Sequence, residues 1–179
     1  NPFNFLLNPI KKLIRKLSIK GVSRTRNEIS KYLKSTHKQI NIFNGGGTGS
    51  IYSTSKEPWI TEVTVGSGFL APHLFDYYSD GIKLEPAIFF SLPVTRFPRK
   101  NVLTCKGGGF IASGQIGADK APVPYLPKEL SISTNEGFGE VQTPITIKNK
   151  SNSIQLGDPL FFRPSKGGEL TNYFNKYQL

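Results

Sequence analysis

The stretch Ile40-Asn41-Ile42-Phe43-Asn44-Gly45-Gly46-Gly47-Thr48-Gly49-Ser50 constrains the chain most. It predicts a short buried strand running into a glycine-rich turn. Glycine takes positive φ without steric cost and lets a ligand come close to the backbone. Successive N–H groups in such a turn can form a nest for an anion, most often a phosphate. The alternative is a tight strand-to-helix turn with no ligand. The spacing lacks the third glycine of a dinucleotide fingerprint, and no Gly-Lys-Ser/Thr follows as in a P-loop.

A second stretch, Glu62-Val63-Thr64-Val65-Gly66-Ser67-Gly68-Phe69, repeats the arrangement of a strand ending in a small-residue turn. Two such strands in succession match the last two strands of a (β/α)8 barrel, where the following loops commonly hold a phosphate.

The net charge of +11 is concentrated at the front. Residues 1–40 hold ten Lys and Arg against Glu28 alone. Ile10, Leu13, Ile14 and Leu17 have helical spacing with Lys11, Lys12, Arg15 and Lys16 between them. Asn8 is the expected N-cap, with Pro9 at the first helical position. Gly21 is expected to end this helix, and a second should run from about Ser23 to Ser35 with Ile29, Tyr32 and Leu33 inward. Two readings fit the segment: a basic amphipathic surface for nucleic acid or anionic lipid, or the solvated outer face of barrel helices. No aromatic side chains interleave with the charges as they do on strand-binding surfaces, so nucleic acid is not the expected partner.

No run approaches the roughly 20 apolar residues of a membrane helix, and Phe3 to Leu7 is too short for a signal-peptide core. A membrane is therefore not expected as a partner, and a cytoplasmic location is. The single Cys105 excludes an intrachain disulfide, and His37 and His73 lack metal-ligand spacing. His73, in the helical-looking run Pro72–Tyr78, is expected at a surface. Trp59 is expected to pack and Cys105 to be buried.

From about Leu84 the texture becomes β. Ala87–Thr95, Asn101–Cys105, Leu130–Thr134, Glu140–Thr146 and Pro159–Arg163 read as short strands separated by Gly, Pro and Asn. Pro93 points to a strand end or an edge. Ala121–Pro127 reads as a proline-stiffened crossing loop, and Glu169–Tyr177 as a closing helix.

Taken with the two turns, Cys105-Lys106-Gly107-Gly108-Gly109-Phe110-Ile111-Ala112-Ser113-Gly114, Gly139-Glu140-Val141-Gln142-Thr143-Pro144 and Gly157-Asp158-Pro159-Leu160-Phe161-Phe162-Arg163 form an ordered set of motifs. In these the chain resembles the C-terminal half of alanine-racemase-like proteins, more narrowly the D-serine deaminase and D-threonine aldolase branch of amino-acid deaminases, from about Asn44 to the C-terminus. The resemblance implies an α/β plus β chain. Residues 1–84 would be the last part of a pyridoxal-phosphate-binding (β/α)8 barrel (fold type III), and residues 85–179 a small, mostly antiparallel β-domain with a closing helix.

It also implies pyridoxal 5′-phosphate as cofactor, a D-amino acid as substrate and a homodimer. Gly45, Gly46, Gly47, Thr48 and Gly49, with Gly66, Ser67, Gly68 and Phe69, would hold the phosphate. Glu140 and Gln142 would face the substrate, or else be strand residues bonded to neighbours. Arg163 and Lys166 could meet a substrate carboxylate. Zinc-dependent members place metal ligands at the positions of Pro164 and Lys166; neither side chain suits a cation, so no metal is expected. The lysine that carries the cofactor would lie in a front half absent from this chain, which opens on Asn1 and has no Met. An inactive remnant, or a binding module with a basic front, is the rival expectation.

Overall fold

The structure is a computed structural model that describes residues 7–78, 83–115, 117–133, 135–148 and 154–179. It divides into two compact units, Asn1–Gly66 and Ser67–Leu179. Most of the run Phe3–Leu7, and Thr134 of the expected strand at Leu130, lie outside the described residues.

In the first unit one helix, α1 (Asn8–Ser35), replaces the two expected. Gly21 does not end it. A glycine inside a helix costs about 1 kcal/mol against alanine, too little to stop a helix with good formers on both sides, and a methyl group there would meet nothing within 4 Å. Leu7 rather than Asn8 is the N-cap, without a side-chain capping bond. Ile19, Ser23, Arg26, Asn27, Ser30 and Leu33 are half-buried and share one helical face. Of the expected inward residues only Leu33 lies on it; Ile29 and Tyr32 are exposed. No described residue of α1 is fully buried, and Ile10, Leu13, Ile14 and Leu17 are all more than half exposed.

Strands β1 (Asn44–Gly45) and β2 (Glu62–Val63) pair in parallel, Asn44 opposite Glu62 and Gly45 opposite Val63. The expected buried strand at Ile40–Phe43 is not formed. Ladder pairing begins only at Asn44, and Ile40 and Ile42 are exposed because β1 has one neighbour and no covering layer among the described residues of this unit. A 3₁₀ turn (Thr48–Ser50) and the short helix α2 (Ile51–Thr54) follow β1. Arg26 pairs with Glu57 at 2.7 Å, and Trp59 Nε1 donates to the same carboxylate at 2.9 Å.

The second unit opens with two 3₁₀ segments; the first, Gly66–Leu70, begins on the last residue of the first unit, and the second is His73–Tyr77. Six strands follow: β3 (Phe90–Arg99), β4 (Val102–Lys106), β5 (Val123–Leu126), β6 (Leu130–Ile132), β7 (Gln142–Ile147) and β8 (Pro159–Arg163). They form one antiparallel sheet in the order β5-β8-β3-β4-β7-β6. Its end strands β5 and β6 lie near each other, so the sheet nearly closes into a barrel. Near closure shields strand edges that would otherwise invite pairing.

Strand β3 makes the barrel's corner. Phe90–Pro93 pairs with β8, and from Val94 onward β3 pairs with β4. Pro93 therefore sits inside a central strand, not at an edge. It is tolerated at the switch of partners, where a missing N–H breaks the ladder least. Alternate residues Phe90, Leu92 and Val94 point into the core, where they meet Leu103, Ile145, Leu160 and Phe162. The Phe162 ring stacks on Phe90 at 5.4 Å and takes Phe138 edge-on at 5.6 Å.

Within the proline-rich segment at 121–127, Val123–Leu126 forms strand β5 rather than a loop, because on the end of the sheet it needs bonds on one side only. The closing helix shrinks to α3 (Gly167–Leu170). After it the chain continues in three-residue turns (Thr171 to Gly168, Asn172 to Glu169, Tyr173 to Leu170), leaving Tyr173, Phe174 and Tyr177 exposed.

Candidate functional site

Parallel pairing sends both strands of the first unit out on the same side, so their turns begin next to each other. The Thr48 hydroxyl donates to the Val65 carbonyl, joining the turn after β1 to the segment after β2. Asn44 Nδ2 donates to Thr64 Oγ1 at 2.7 Å and to the Glu62 carboxylate, and Phe43 N donates to Thr61 Oγ1 at 2.7 Å. The turn at 45–49 is further closed by Gly47 N donating to Ser50 Oγ at 3.1 Å and Ser50 N to Gly47 O at 2.9 Å.

Gly46 has φ +82, and any Cβ on it would press on the Thr54 side chain at about 3 Å, so this position demands glycine for fold alone. Gly47 and Gly66 are different. A Cβ on Gly47 would meet only Thr64 O at 3.9 Å, and one on Gly66 would meet nothing within 4 Å. Gly66 has φ +54, so its backbone alone favours glycine, whereas at Gly47 neither backbone nor packing requires one. Gly66 closes the first unit, while Ser67, Gly68 and Phe69 open the second, with Gly68 buried and Phe69 exposed.

In the second unit Gln142 starts β7, and its side-chain oxygen accepts from Arg96 Nη2 at 2.7 Å. Glu140 is exposed in the preceding turn, as is Lys106 at the end of β4. The Gly107–Gly109 turn caps the core. Gly108 has φ +118, and a Cβ there would lie 2.5 Å from Thr143 Oγ1 and 2.9 Å from Leu92. Thr143, fully buried, donates to Gly107 O at 2.6 Å. Cys105 is buried below this turn, and desolvation pushes its thiol up to about 12, which leaves it inert as a nucleophile.

His73 is not at the surface: only 2% of it is exposed. Its backbone N–H donates to Pro164 O at 3.1 Å, and its Nε2 lies 2.5 Å from Ala121 O, so Nε2 carries the proton. Burial, opposed in part by that bond, holds its pKa below the usual value. Beside it Arg163 makes a two-pronged ion pair with Asp76 at 2.7 and 3.0 Å and donates from Nε to Ala71 O at 2.9 Å. Sequence reasoning missed this cluster, whose Arg163 bonds join residues 87 and 92 apart. It commits the Arg163 guanidinium to structure.

Pro164 is buried, whereas Lys166 reaches Ser113, donating to its carbonyl at 3.0 Å and its hydroxyl at 2.8 Å. Among the described residues no three His, Cys, Asp or Glu side chains are grouped to hold a metal ion.

No protein-family description matches the chain, and no characterised protein matches it in sequence. Among solved structures it resembles the crystal structure of D-threonine aldolase from Filomicrobium marinum, with a TM-score of 0.68 at 16% identity. The match covers 85% of this chain and 40% of that one, so this chain spans well under half the length of the aldolase. At this identity the likeness concerns the fold, which resembles the C-terminal part of that enzyme. No helix among the described residues is long and apolar enough to cross a membrane.

Proposed function

We propose that this chain is the C-terminal portion of a pyridoxal-phosphate-dependent enzyme acting on a D-amino acid. One observation carries the reading: parallel strands β1 and β2 end side by side in small-residue turns, with unfilled space at Gly47, in a fold like that of a D-threonine aldolase. Gly45, Gly46, Thr48, Gly49 and Gly66 of the first unit receive the phosphate through backbone N–H groups, while Gly47, whose N–H is given to Ser50 Oγ, contributes open space; Ser67, Gly68 and Phe69, also expected to hold it, belong to the second unit. Hydrogen bonds to an ionised acceptor are about twice as strong as neutral ones, so a dianion is held here without a lysine in either turn. The Thr48 hydroxyl is already given to Val65 O, so the turn's shape, rather than that hydroxyl, does the holding.

When bound, the cofactor supplies an electron sink that weakens a bond at the substrate α-carbon. Loss of water with deamination, retro-aldol cleavage and racemisation share that beginning. The lysine that would carry the cofactor is not assigned to any residue here, and we place the working enzyme as a homodimer in the longer protein. The rival is an inactive remnant or binding module, favoured by the exposed apolar stripe and the basic residues of α1.

A protein containing this chain should be yellow and bleach with borohydride, and Gly47→Asp should weaken cofactor uptake about tenfold or more by placing a carboxylate in the cup. A colourless protein that takes up no added cofactor would overturn the reading. The rival predicts duplex DNA binding that falls steeply with salt; no binding at low salt removes its nucleic-acid form.

A further inference from the structure

Helix α1 has two unlike faces. Ile19, Ser23, Arg26, Ser30 and Leu33 are half-buried and turn toward the rest of the first unit. On that side Arg26 reaches Glu57 at 2.7 Å, and Arg15 Nη2 donates to Gly49 O at 3.4 Å. Ile10, Leu13, Ile14 and Leu17 lie about 160° away around the helix, at about 100° per residue. They are 54% to 60% exposed. The apolar stripe therefore points away from its own unit. The same line runs on through Gly21 to Thr25 and Glu28, so the stripe ends at Gly21.

The charges are arranged around this stripe. Lys11, Lys12, Arg15, Lys16, Lys20 and Arg24 follow one another with no acid among them. Lys11 borders one edge of the stripe, and Lys16 and Lys20 border the other. All three are exposed. Their aliphatic stems can lie along an apolar layer while the ammonium groups stay outside it. Lys11 and Lys12 fall near the start of the helix, whose first turn holds no acid. Cations at the positive end of the helix dipole cost stability, and a negatively charged surface removes that cost.

Candidate occupants use different parts of this face. Duplex nucleic acid would take the cations and leave the stripe in water. A second copy would cover the stripe but set lysines against lysines. Protein interfaces are anchored by aromatic and arginine side chains, whereas this stripe is aliphatic throughout. An anionic lipid layer takes both the stripe and the cations and requires no matching shape. We infer that residues 10–24 of α1 form an in-plane anchor on a membrane rich in anionic phospholipid, with Ile10, Leu13, Ile14 and Leu17 among the acyl chains and the lysines at the level of the phosphates. No described helix is long and apolar enough to span a bilayer, but a helix lying in the headgroup layer needs only a stripe flanked by cations. Neither glycine turn takes part, so the anchor stands whether or not a cofactor binds.

The test is co-sedimentation of the whole chain with two kinds of vesicle, phosphatidylcholine alone and phosphatidylcholine with about 30% phosphatidylserine. Binding should be about tenfold or more tighter to the anionic vesicles and should weaken as salt rises. Amide exchange across residues 10–17 should slow on those vesicles. Leu13→Gln with Ile14→Gln should weaken binding about tenfold or more by removing apolar area. Lys16→Gln with Lys20→Gln should weaken it by a similar factor. These side chains are exposed, so both variants should keep the helical signal of the unaltered chain. No binding, or equal binding to both vesicles, overturns the inference. Binding that the stripe variant leaves unchanged overturns it too, since only charge is then at work. Duplex DNA bound where vesicles are not would give the face to nucleic acid, and a dimer broken by the stripe variant without vesicle binding would give it to a second copy. The comparison of vesicles needs no variant, and its failure leaves cofactor uptake untouched.

Discussion

The two units differ in how their apolar residues are used. In the second, Phe90, Leu92, Val94, Leu103, Ile145, Leu160 and Phe162 all turn inward from a sheet that nearly closes on itself. In the first, the longest element buries no described residue completely, and its most regular apolar stripe, Ile10 to Leu17, faces outward. Regular patterning alone therefore does not make a core; it needs a second layer to bury the pattern. The second unit supplies its own layer. The first rests on a polar helical face, a two-residue parallel ladder and the Arg26–Glu57 pair.

The largest test of that contrast is Phe162→Ala. Phe162 is fully buried between Phe90 and Phe138, and such truncations cost about 3–5 kcal/mol. Denaturant unfolding followed by the near-ultraviolet signal of the aromatic core should show the loss, with the helical signal of α1 little changed. A loss under about 1 kcal/mol would mean that the closed core is absent in solution. Next in size is Gly108→Val. A side chain at φ +118 is strained, and its Cβ would strike Thr143 and Leu92. We expect a cost of about 2–3 kcal/mol, again confined to the second unit.

The same contrast explains what could be read from the sequence. Strand β8 falls on the expected residues, and β4 and β7 lie within two positions, because a half-buried sheet imposes a period of two on the chain. The neighbouring turns at Gly45–Gly49 and Gly66 were legible because glycine clusters have few other uses. Three things were hidden. Strand β5 reads as loop because Pro124 within it and Pro122 and Pro127 beside it outweigh its local signal, and its place at the sheet's end admits Pro124. The burial of His73 depends on carbonyls of Ala121 and Pro164, far along the chain. The continuity of α1 turned on whether a single glycine is punctuation or filler, which periodicity cannot decide.

His73 gives a pH test of intermediate size. Burial lowers its folded pKa below 6.5, so the unfolded chain binds the proton more readily. Stability is then fully present above about pH 6.5 and falls as pH drops through that value toward the folded pKa. The nearby Arg163 opposes protonation and Asp76 favours it, which leaves burial dominant. His73→Gln should flatten the slope of second-unit stability between about pH 6.5 and 5. An unchanged slope would place His73 in solvent.

The smallest expected effect is Gly21→Ala, and it probes the other side of the comparison. An alanine at this position touches nothing within 4 Å, so no packing term enters. What remains is the backbone term, about 1 kcal/mol in favour of the helix. In the second unit a gain of that kind would be lost beneath packing. In α1, which has no buried described residue, it should appear directly as higher helicity by circular dichroism and slower amide exchange across residues 11–35, with the unfolding of the second unit unmoved. If helicity is unchanged, residues on the two sides of Gly21 are not one cooperative helix. If the second unit is stabilised as well, the two units do not behave as separate bodies, and the contrast drawn from their burial fails.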